Sequence, residues 1–354
     1  MKVLAIDIGA GTQDILLFDS QKKTENCISL VLPTPSKLFA EKLKAIKGDV
    51  FIFGDTIGGG SLAKVILHHI QKGYRVVMEE SAAYSIRNDL DEVKSMGIVV
   101  GGKPESDRFQ ELEIREVDLP LLKDFLSHFG EDLEVDAIAV AVQDHGVSPK
   151  GISDRTFRFE KMEAMLRKDN RPEAFHFSED SIPTHYIRMR SSVKAVRRTS
   201  SASVLVMDTS FSAILGCIDE VTGPSLIVNV GNGHTIAALL IDRMIEGLYE
   251  HHTHELTPKK LEHDLNLFLR GELSSKKVFE ENGHGVITLK PFYGEIPVIV
   301  TGPNRDLFKG TSMKFIYAAP GGNTMMTGPM GLVKAAQFWI STKSQAPNIL
   351  IKSE

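Results

Sequence analysis

The chain has 354 residues, of which 42% are hydrophobic and 25% are charged, and its formal net charge is −5. This length exceeds what one hydrophobic core usually serves, so we expect two domains. The slightly acidic balance gives no sign of wholesale binding to nucleic acid or to a membrane surface, because either partner calls for a dense basic field.

The beginning of the chain and its two cysteines indicate a cytoplasmic protein. Asp7 interrupts the first apolar run, which is unlike a signal peptide, and no apolar stretch approaches the roughly 20 residues that span a bilayer. Cys27 and Cys217 lie far apart in the sequence. Two thiols are too few for a cysteine-only zinc or iron–sulfur site, which takes three or four.

The first half of the chain alternates strands with helices, which is typical of an α/β protein. Strands are predicted at 3–8, 15–19, 28–32, 50–53, 74–78 and 137–142. Helices are predicted at 36–46, from the glycines at 58–60 to about 71, and at 119–129. The charged, aperiodic stretch 101–118 predicts an irregular excursion.

The second half repeats the alternation after a polar, basic segment. Residues 147–200, with one predicted helix at 155–168, are expected to connect the domains and line a cleft. Strands are predicted at 204–207, 226–230, 236–241, 243–249, 297–301 and 315–318, and helices at 258–270 and 329–341. We therefore expect a first domain at 1–200 and a second at 201–327, with the C-terminal helix 328–345 packing back on the first.

Both halves contain a strand that ends in a glycine-rich turn and leads into a second strand, at 3–19 and 226–241. Glycines at such turns let backbone N–H groups face a phosphate without a Cβ in the way. Asp7, at the end of the first strand, suits a hydrated Mg²⁺ ion. The alternative is a pair of plain hairpins, where glycine is already favoured. Neither turn is a Walker A loop or a Rossmann fingerprint.

Five segments together resemble the motifs of the actin-like ATPase superfamily, which includes actin, heat-shock ATPases and sugar kinases. Residues 6–14 (IDIGAGTQD) resemble its first phosphate motif and 229–235 (NVGNGHT) its second, while 298–305 (VIVTGPNR) resembles the adenosine motif. Residues 142–146 and 328–331 stand where the two connecting motifs belong. The resemblance implies two ribonuclease-H-like domains, each a mixed sheet flanked by helices, with Mg·ATP in the interdomain cleft.

The resemblance also implies which residues hold the nucleotide. Asp7 is the expected metal ligand, and the expected nucleotide contacts are Gly9, Gly11, Thr12, Gln13, Asn229, Gly231, Asn232, Gly233, Thr235, Gly302, Pro303, Asn304, Gly321 and Gly322. One residue departs from the pattern. Asn229 stands where the superfamily usually has an aspartate, which removes a charge and puts the metal affinity and the hydrolysis rate in question.

Polar residues outside the turns are candidates for catalysis and for contact with a second substrate. Gln143 could position a water and Asp144 could act as a base, and His234 could contact a phosphate or serve as acid or base. The candidate substrate contacts are His145, Asp154, Arg188, Arg190 and His252. For each, the alternative is an ordinary polar loop or a solvated charged face.

The densest group of imidazoles is the segment 250–255 (EHHTHE). In an extended segment Glu250, His252 and His254 point to one side, which makes a divalent metal site conceivable. The spacing is not H-E-x-x-H. A polar strand end that touches substrate is the alternative.

Phrases such as AVQDHG, VNVGNGHT and TGPNRDL resemble an uncharacterised archaeal and bacterial family whose members are often labelled pyruvate-formate-lyase activating enzymes. A radical enzyme of that kind would need three closely spaced cysteines, which this sequence lacks. Three functions stay open: an ATP-dependent phosphotransferase for a small molecule, anionic or neutral; a nucleotide-driven ATPase that activates a protein partner; and a nucleotide-binding module without catalysis.

Overall fold

The computed structural model describes residues 1–345 of the chain. In chain order the strands are β1 (Lys2–Ile8), β2 (Thr12–Asp19), β3 (Ile28–Pro33), β4 (Val50–Gly54), β5 (Val76–Met78), β6 (Val99–Val100), β7 (Gln110–Ile114), β8 (Ala137–Val142), β9 (His176–Ser178), β10 (Ser203–Met207), β11 (Ser225–Val230), β12 (His234–Ile241), β13 (Met244–His252), β14 (Gly285–Thr288), β15 (Val298–Thr301) and β16 (Phe315–Tyr317).

The helices flank three sheets. They are α1 (Pro35–Ala45), α2 (Gly60–Gln71), α3 (Glu80–Ala83), α4 (Leu90–Ser95), α5 (Leu119–Ser127), α6 (Asp154–Lys168), α7 (Ile187–Arg197), α8 (Thr209–Cys217), α9 (Pro258–Leu269), α10 (Ser275–Glu280) and α11 (Thr327–Gln345). Within the described part of the chain, none of these helices combines the length and the apolar character that crossing a membrane requires.

Two six-stranded sheets share one topology. The first has the order β3-β2-β1-β8-β10-β9 and the second the order β14-β13-β12-β11-β15-β16. In each, the first three strands are antiparallel neighbours, and the next two strands on the other side of the first strand, β8 and β10 or β15 and β16, join in parallel. The edge strands β9 and β14 are added antiparallel. β8 is buried along its whole length, as expected for a strand covered on both faces. The prediction of two ribonuclease-H-like α/β domains is therefore confirmed.

A third, smaller sheet is inserted between β3 and β8. Its four strands have the order β6-β5-β4-β7 and all pair in parallel. The prediction of an irregular excursion over 101–118 was wrong at 110–114, because β7 carries an alternating pattern in which Leu112 and Ile114 are the buried residues. A strand whose outward residues are charged resembles a loop in composition, and only the alternation reveals it.

The first sheet extends past the domain boundary that we placed at 200. β10 pairs with β8, so the chain belongs to the first sheet up to Met207. A short apolar strand carries no sign of which sheet it joins, and the assignment of whole domains otherwise stays a prediction.

Two helices, α8 and α11, occupy the space between the large sheets. One core cluster contains residues from both sheets together with Ile214 of α8 and Leu332 of α11. The helices cross closely because glycines face them: a Cβ on Gly331 would lie 1.8 Å from the Ser212 carbonyl oxygen, and one on Gly216 would lie 1.8 Å from the Thr327 oxygen. The 328–331 segment, at the start of α11, therefore packs against α8.

We predict that Gly331→Ala destabilises the protein by about 2 kcal/mol or more, because the added methyl group overpacks a backbone-to-backbone contact. Helix propensity alone predicts the opposite sign, since alanine is favoured over glycine by about 1 kcal/mol inside a helix. Urea unfolding measures the difference. The matched control is Gly102→Ala, whose Cβ would meet no atom within 4 Å; equal unfolding midpoints for the two variants would contradict the prediction.

Candidate functional site

The two glycine-rich turns meet across the space between the large sheets. Each turn is closed by the same hydrogen bond, from Gly9 N–H to the Thr12 oxygen and from Gly231 N–H to the His234 oxygen, both 2.9 Å long. A Cβ on Gly11 would lie 2.3 Å from the side-chain nitrogen of Asn232. The first turn of one domain therefore touches the corresponding turn of the other, as the sequence predicted for a shared crevice.

The crevice between the two turns, which we call the phosphate crevice after the two predicted phosphate motifs, encloses about 740 Å³ of space when its open mouth is counted. Its lining is polar and rich in glycine. The lining residues that the argument uses are Asp7, Gly9, Gly11, Thr12, Asp14, Gln143, Thr209, Asn229, Gly231, Asn232, Gly233, His234, Gly302 and Pro303. Most of the predicted nucleotide contacts thus share one cavity.

Two carboxylates lie side by side in this crevice. The register of the first hairpin places Asp7 opposite Asp14, and the Thr209 hydroxyl donates a 2.6 Å hydrogen bond to Asp7. Burial raises the pKa of Asp7 to about 8, with the charge of Asp14 adding to the effect, and burial raises the pKa of Asp14 to about 6. Among described residues, nothing bonds the buried Oδ1 of Asp14. Paired oxygen ligands short of positive charge fit a hydrated Mg²⁺ ion.

The predicted adenosine side of the crevice is held by close backbone packing. Gly302 has a φ of 95°, and a Cβ there would lie 2.4 Å from the Val230 oxygen and 2.6 Å from Asn229 Oδ1. Asn304 donates to the Gly231 oxygen over 2.9 Å, so it supports the second turn from behind.

Some predicted contacts lie outside the crevice lining. The Gln13 amide donates to the Pro33 oxygen across the β2–β3 pair, and Thr235 is buried against the Thr253 hydroxyl. Their roles are structural in these contacts, because both side chains are occupied by neighbouring strands and turns.

The glycines at 321 and 322 also lie outside the lining, where Thr324, Met325 and Thr327 take their place. A Cβ on Gly321 would lie 2.8 Å from Thr24 Cγ2, which places this turn against the first domain. Arg190 is exposed and lines neither this crevice nor the second one, which is described next.

A second crevice adjoins the first, between the first large sheet and the small sheet. It encloses about 1140 Å³, again counting its mouth. Its lining includes Thr56, Gly58, Gly59, Gly60, Arg87, Asn88, Asp144, His145, Asp154 and Arg188. The two crevices share the lining residues Gly9, Ala10, Gln143 and Thr209, so the end of β1 and the end of β8 form the junction. We call the second cavity the acceptor crevice.

The charged residues of the acceptor crevice are fixed by hydrogen bonds. Arg188 donates to the buried Glu116 over 2.5 Å and to the Gln143 oxygen over 3.0 Å. Asp144 accepts from the N–H groups of Gly146 and Met189, at 2.9 and 3.0 Å, yet burial still raises its pKa. A carboxylate with a raised pKa is better suited to take a proton than an exposed one.

Asp154, at the start of α6, is also held in place. Its carboxylate accepts from the Ser148 hydroxyl over 2.7 Å and from the Asn88 amide over 3.0 Å. Asn88 belongs to the small sheet's domain, so this contact ties the insertion to the crevice wall.

The side chains of the 250–255 segment do not form the metal site that its spacing suggested. Glu250 is fully buried and accepts from Arg158, while His254 is exposed beside Glu255. His252 instead packs its ring against those of His234 and His284, with centroids 4.8 Å apart in both cases. The strand parity was right for Glu250 and His252, but a turn of 3₁₀-helix at 253–255 carries His254 away.

A buried ion network lies beneath the junction. Arg158 is 3% exposed, and its guanidinium group donates to Asp208 over 2.7 Å and to Glu250 over 3.1 Å. Asp208 also caps α8 by accepting from the Ser210 N–H over 2.9 Å. The network therefore joins three separate elements of the chain, α6, α8 and β13.

From the sequence we assigned no role to four residues of the site, which are Asp14, Thr209, Arg158 and His284. Asp14 could have been found, since a symmetrical hairpin around Ala10 and Gly11 places it opposite Asp7. Thr209 follows an N-cap aspartate, which is a readable helix signal. Arg158 and His284 carry no local signal, because their importance comes from distant segments.

Two ribonuclease-H-like sheets that face each other across a cleft, with their first hairpin turns in contact inside it, define the actin-like ATPase fold. A family model described as "Putative pyruvate format-lyase activating enzyme (DUF1786)" matches residues 57–307. The match spans more than half of the chain, and the chain belongs to this family. A search of curated proteins found no match.

Solved structures give distant likenesses over most of the chain. A Bacteroides thetaiotaomicron protein with actin-like ATPase fold and unknown function is 8% identical, covers 93% of this chain and 95% of its own, and has a TM-score of 0.35. The activator of 2-hydroxyisocaproyl-CoA dehydratase from Clostridium difficile, with bound ADPNP, is 8% identical, covers 97% of this chain and 98% of its own, and has a TM-score of 0.32. A ROK family glucokinase from Streptomyces griseus, in complex with glucose and AMPPNP, is 10% identical, covers 96% of this chain and 99% of its own, and has a TM-score of 0.35.

We predict that Arg158→Met destabilises the protein by about 3–5 kcal/mol, because it leaves two carboxylates buried without a counter-charge. Adding Asp208→Asn and Glu250→Gln to that variant removes both charges and should recover part of the loss. Urea unfolding of the single and triple variants measures this. Arg167→Met is the control, since Arg167 is 60% exposed in its pair with Glu163 and should cost less than about 1 kcal/mol. A triple variant less stable than the single one would refute the charge argument.

Proposed function

We propose that the chain is an ATP-dependent phosphotransferase that transfers a phosphoryl group to a small, anionic molecule. The observation that carries this proposal is the junction of the two crevices at Gly9, Ala10, Gln143 and Thr209. A phosphate tail held by the turns and an acceptor held in the second crevice would meet there. Phosphoryl transfer depends mainly on such positioning and on electrostatic stabilisation.

The donor side is supported by the backbone of the two turns and by the carboxylates. Gly9 and Gly233 line the crevice, and a Cβ on Gly233 would meet no atom within 4 Å, so space is left for a ligand where a side chain would stand. Asp7 and Asp14 would hold Mg²⁺, which when bound neutralises phosphate charge. Asn229 lines the same crevice without adding a charge.

The acceptor side is supported by cationic groups and a base. Arg87 and Arg188 line the acceptor crevice, and α2 begins there at Gly60, where helix N–H groups favour an anion. Asp144 lines the same crevice, and we assign it the role of accepting the proton of the acceptor's hydroxyl group. Gln143 and His145 flank it and would orient the acceptor.

The family description names an activating enzyme, and the thiols of this chain do not suit radical iron–sulfur chemistry. Cys27 and Cys217 are both buried, and burial raises the pKa of Cys217 by more than the charge of Lys334 lowers it. Cluster ligands are thiolates, and a single cluster takes three or four of them. Activation of a protein partner by ATP-driven closure would need no thiol, and it enters the test below as an alternative outcome.

We predict that Asp14→Asn and Asp7→Asn each weaken Mg²⁺-dependent binding of a non-hydrolysable ATP analogue by at least about tenfold, since one of two crevice carboxylates is lost. Isothermal titration calorimetry with and without Mg²⁺ measures this. The control is Asp124→Asn, an exposed residue on α5, which should bind like the wild type. Unchanged affinity in both crevice variants would count against the nucleotide assignment.

The function itself is tested by incubating the protein with Mg·ATP and fractions of small anionic metabolites, and by following ADP release and phosphorylated products by mass spectrometry. We expect ADP release to rise steeply with one fraction and a product heavier by one phosphoryl group. Slow ADP release that only a protein partner accelerates would replace this proposal with the conformational ATPase. Binding of nucleotide without any turnover would replace it with a non-catalytic module.

A further inference from the structure

Four histidine rings gather beside Gln143, one of the residues that both crevices share; His234 lines the phosphate crevice and His145 lines the acceptor crevice. They come from four separate segments: His145 after β8, His234 at the start of β12, His252 at the end of β13, and His284 before β14. The His234 centroid lies 5.6 Å from that of His145, 4.8 Å from that of His252 and 4.7 Å from that of His284. The fold therefore concentrates imidazoles that the sequence keeps far apart.

Three of these histidines are arranged to share one ion. One ring nitrogen from each of His145, His234 and His284 lies within 4.8 Å of the other two. On a tetrahedral zinc ion with bonds of about 2.0–2.1 Å, imidazole nitrogens are about 3.3 Å apart. Closing around an ion would therefore require the outermost pair to approach by at most about 1.5 Å, which small side-chain rotations provide.

His284 is a buried histidine whose side chain is left without hydrogen-bond partners by the residues that the structure describes. It is 2% exposed, and within residues 1–345 neither of its ring nitrogens has a hydrogen-bond partner. Burying an unpaired polar atom costs about 1–3 kcal/mol, and such atoms in native structures call for an explanation, such as a bound water or ion. The Nε2 atom of His234 is also buried without a partner in the described chain. Three ring nitrogens without a partner among residues 1–345, all in one cluster, point to a shared ligand.

The position of His284 is fixed by the glycines on both sides of it. A Cβ on Gly283 would lie 2.4 Å from Val278 Cγ1, and one on Gly285 would lie 2.6 Å from the ring of Phe159. The backbone N–H of His284 donates to the backbone oxygen of Glu250 over 2.9 Å. Close packing of this kind is unnecessary for a surface loop, and it preorganises a ligand side chain.

His234 has the supporting contact that metal-binding histidines usually have. Its Nδ1 atom lies 2.7 Å from the Nε2 atom of the Gln143 side-chain amide. A half-turn of the amide interchanges its nitrogen and oxygen. With the oxygen facing the ring, His234 Nδ1–H donates to it, and the lone pair of His234 Nε2 is free to bind a metal. Such partners fix the tautomer and the orientation of a ligating ring.

One buried cation and two buried carboxylates lie beside the histidine cluster. The nearby Arg158 is outnumbered by its two carboxylate partners, Asp208 and Glu250, so the buried network as a whole carries no positive charge.

We propose that His145, His234 and His284 bind one divalent transition-metal ion of the zinc class at the junction of the two crevices. Three imidazoles match the soft-to-borderline donors that zinc, cobalt and iron(II) prefer, whereas Mg²⁺ prefers oxygen. Three protein ligands also leave a fourth position open for water or a ligand oxygen. The site is separate from the Asp7–Asp14 pair, and it requires no nucleotide.

Metal binding is tested on tag-free protein that has been stripped with a chelator and titrated with Zn²⁺ or Co²⁺ in the absence of nucleotide. Calorimetry should give one ion per chain, Co²⁺ should give the visible absorption of a low-symmetry site, and a millimolar excess of Mg²⁺ should not displace either ion. Bound Zn²⁺ should also raise the unfolding temperature, because it binds the folded state only.

Variants assign the site. His284→Asn and His145→Gln should each weaken Zn²⁺ binding by more than about 100-fold, since even a supporting residue is worth 10–100-fold. His145 is only partly buried, so its variant keeps the test valid if His284→Asn does not fold. The control His254→Asn, an exposed residue, should bind like the wild type.

Three results would overturn the proposal. They are wild-type protein that takes up no stoichiometric Zn²⁺, binding that both junction variants retain, and equal losses in the His254→Asn control. All of these readouts are made without ATP, so a failure of the phosphotransferase proposal leaves this test unaffected.

Discussion

The glycine-mediated crossing of α8 and α11 is the contact on which the rest of the structure depends. Gly216 and Gly331 let the two helices approach backbone to backbone between the large sheets. A third glycine extends the same constraint into the site, because a Cβ on Gly328 would lie 1.8 Å from Asp7 Oδ2. The helix that joins the domains therefore also fixes the first carboxylate of the phosphate crevice.

This arrangement buries ionisable groups where a rigid site is needed. Asp7 lies at the foot of the crevice, where burial raises its pKa to about 8, and Arg158 brings two carboxylates into the space beneath the junction. Buried charges contribute little net stability, since desolvation offsets most of their attraction. Their effect here is on geometry: the same network positions the start of α8 and the end of β13, which are the two walls that carry Thr209 and His252.

Much of the fold and of the phosphate crevice could be predicted from the sequence, because short local motifs determine it. The two glycine turns, the strands that lead into them and the grouping of Asp7 with Gly231 and Gly233 follow from short motifs that recur in both halves. The failures have a common cause. β10 joined the first sheet, Gln13 turned toward β3, and His284 entered the site from a loop about 140 residues away from His145 in the chain. Such pairings are decided by tertiary packing, which leaves no periodic trace in the sequence.

The two candidate ion sites differ in the type of donor atom. Oxygen donors, Asp7 and Asp14, lie on the hairpin of the first domain, while nitrogen donors come mainly from the second domain and meet the first at His145. Gln143 contacts both neighbourhoods: it lines the crevice that holds Asp7 and Asp14, and its side chain contacts His234. Its backbone oxygen accepts from Arg188. Any relative movement of the domains must change the His145–His234 distance before it changes the Asp7–Asp14 pair, which lies within one hairpin. An ion at the histidines would therefore respond to closure of the cleft, whereas an ion at the carboxylates would not.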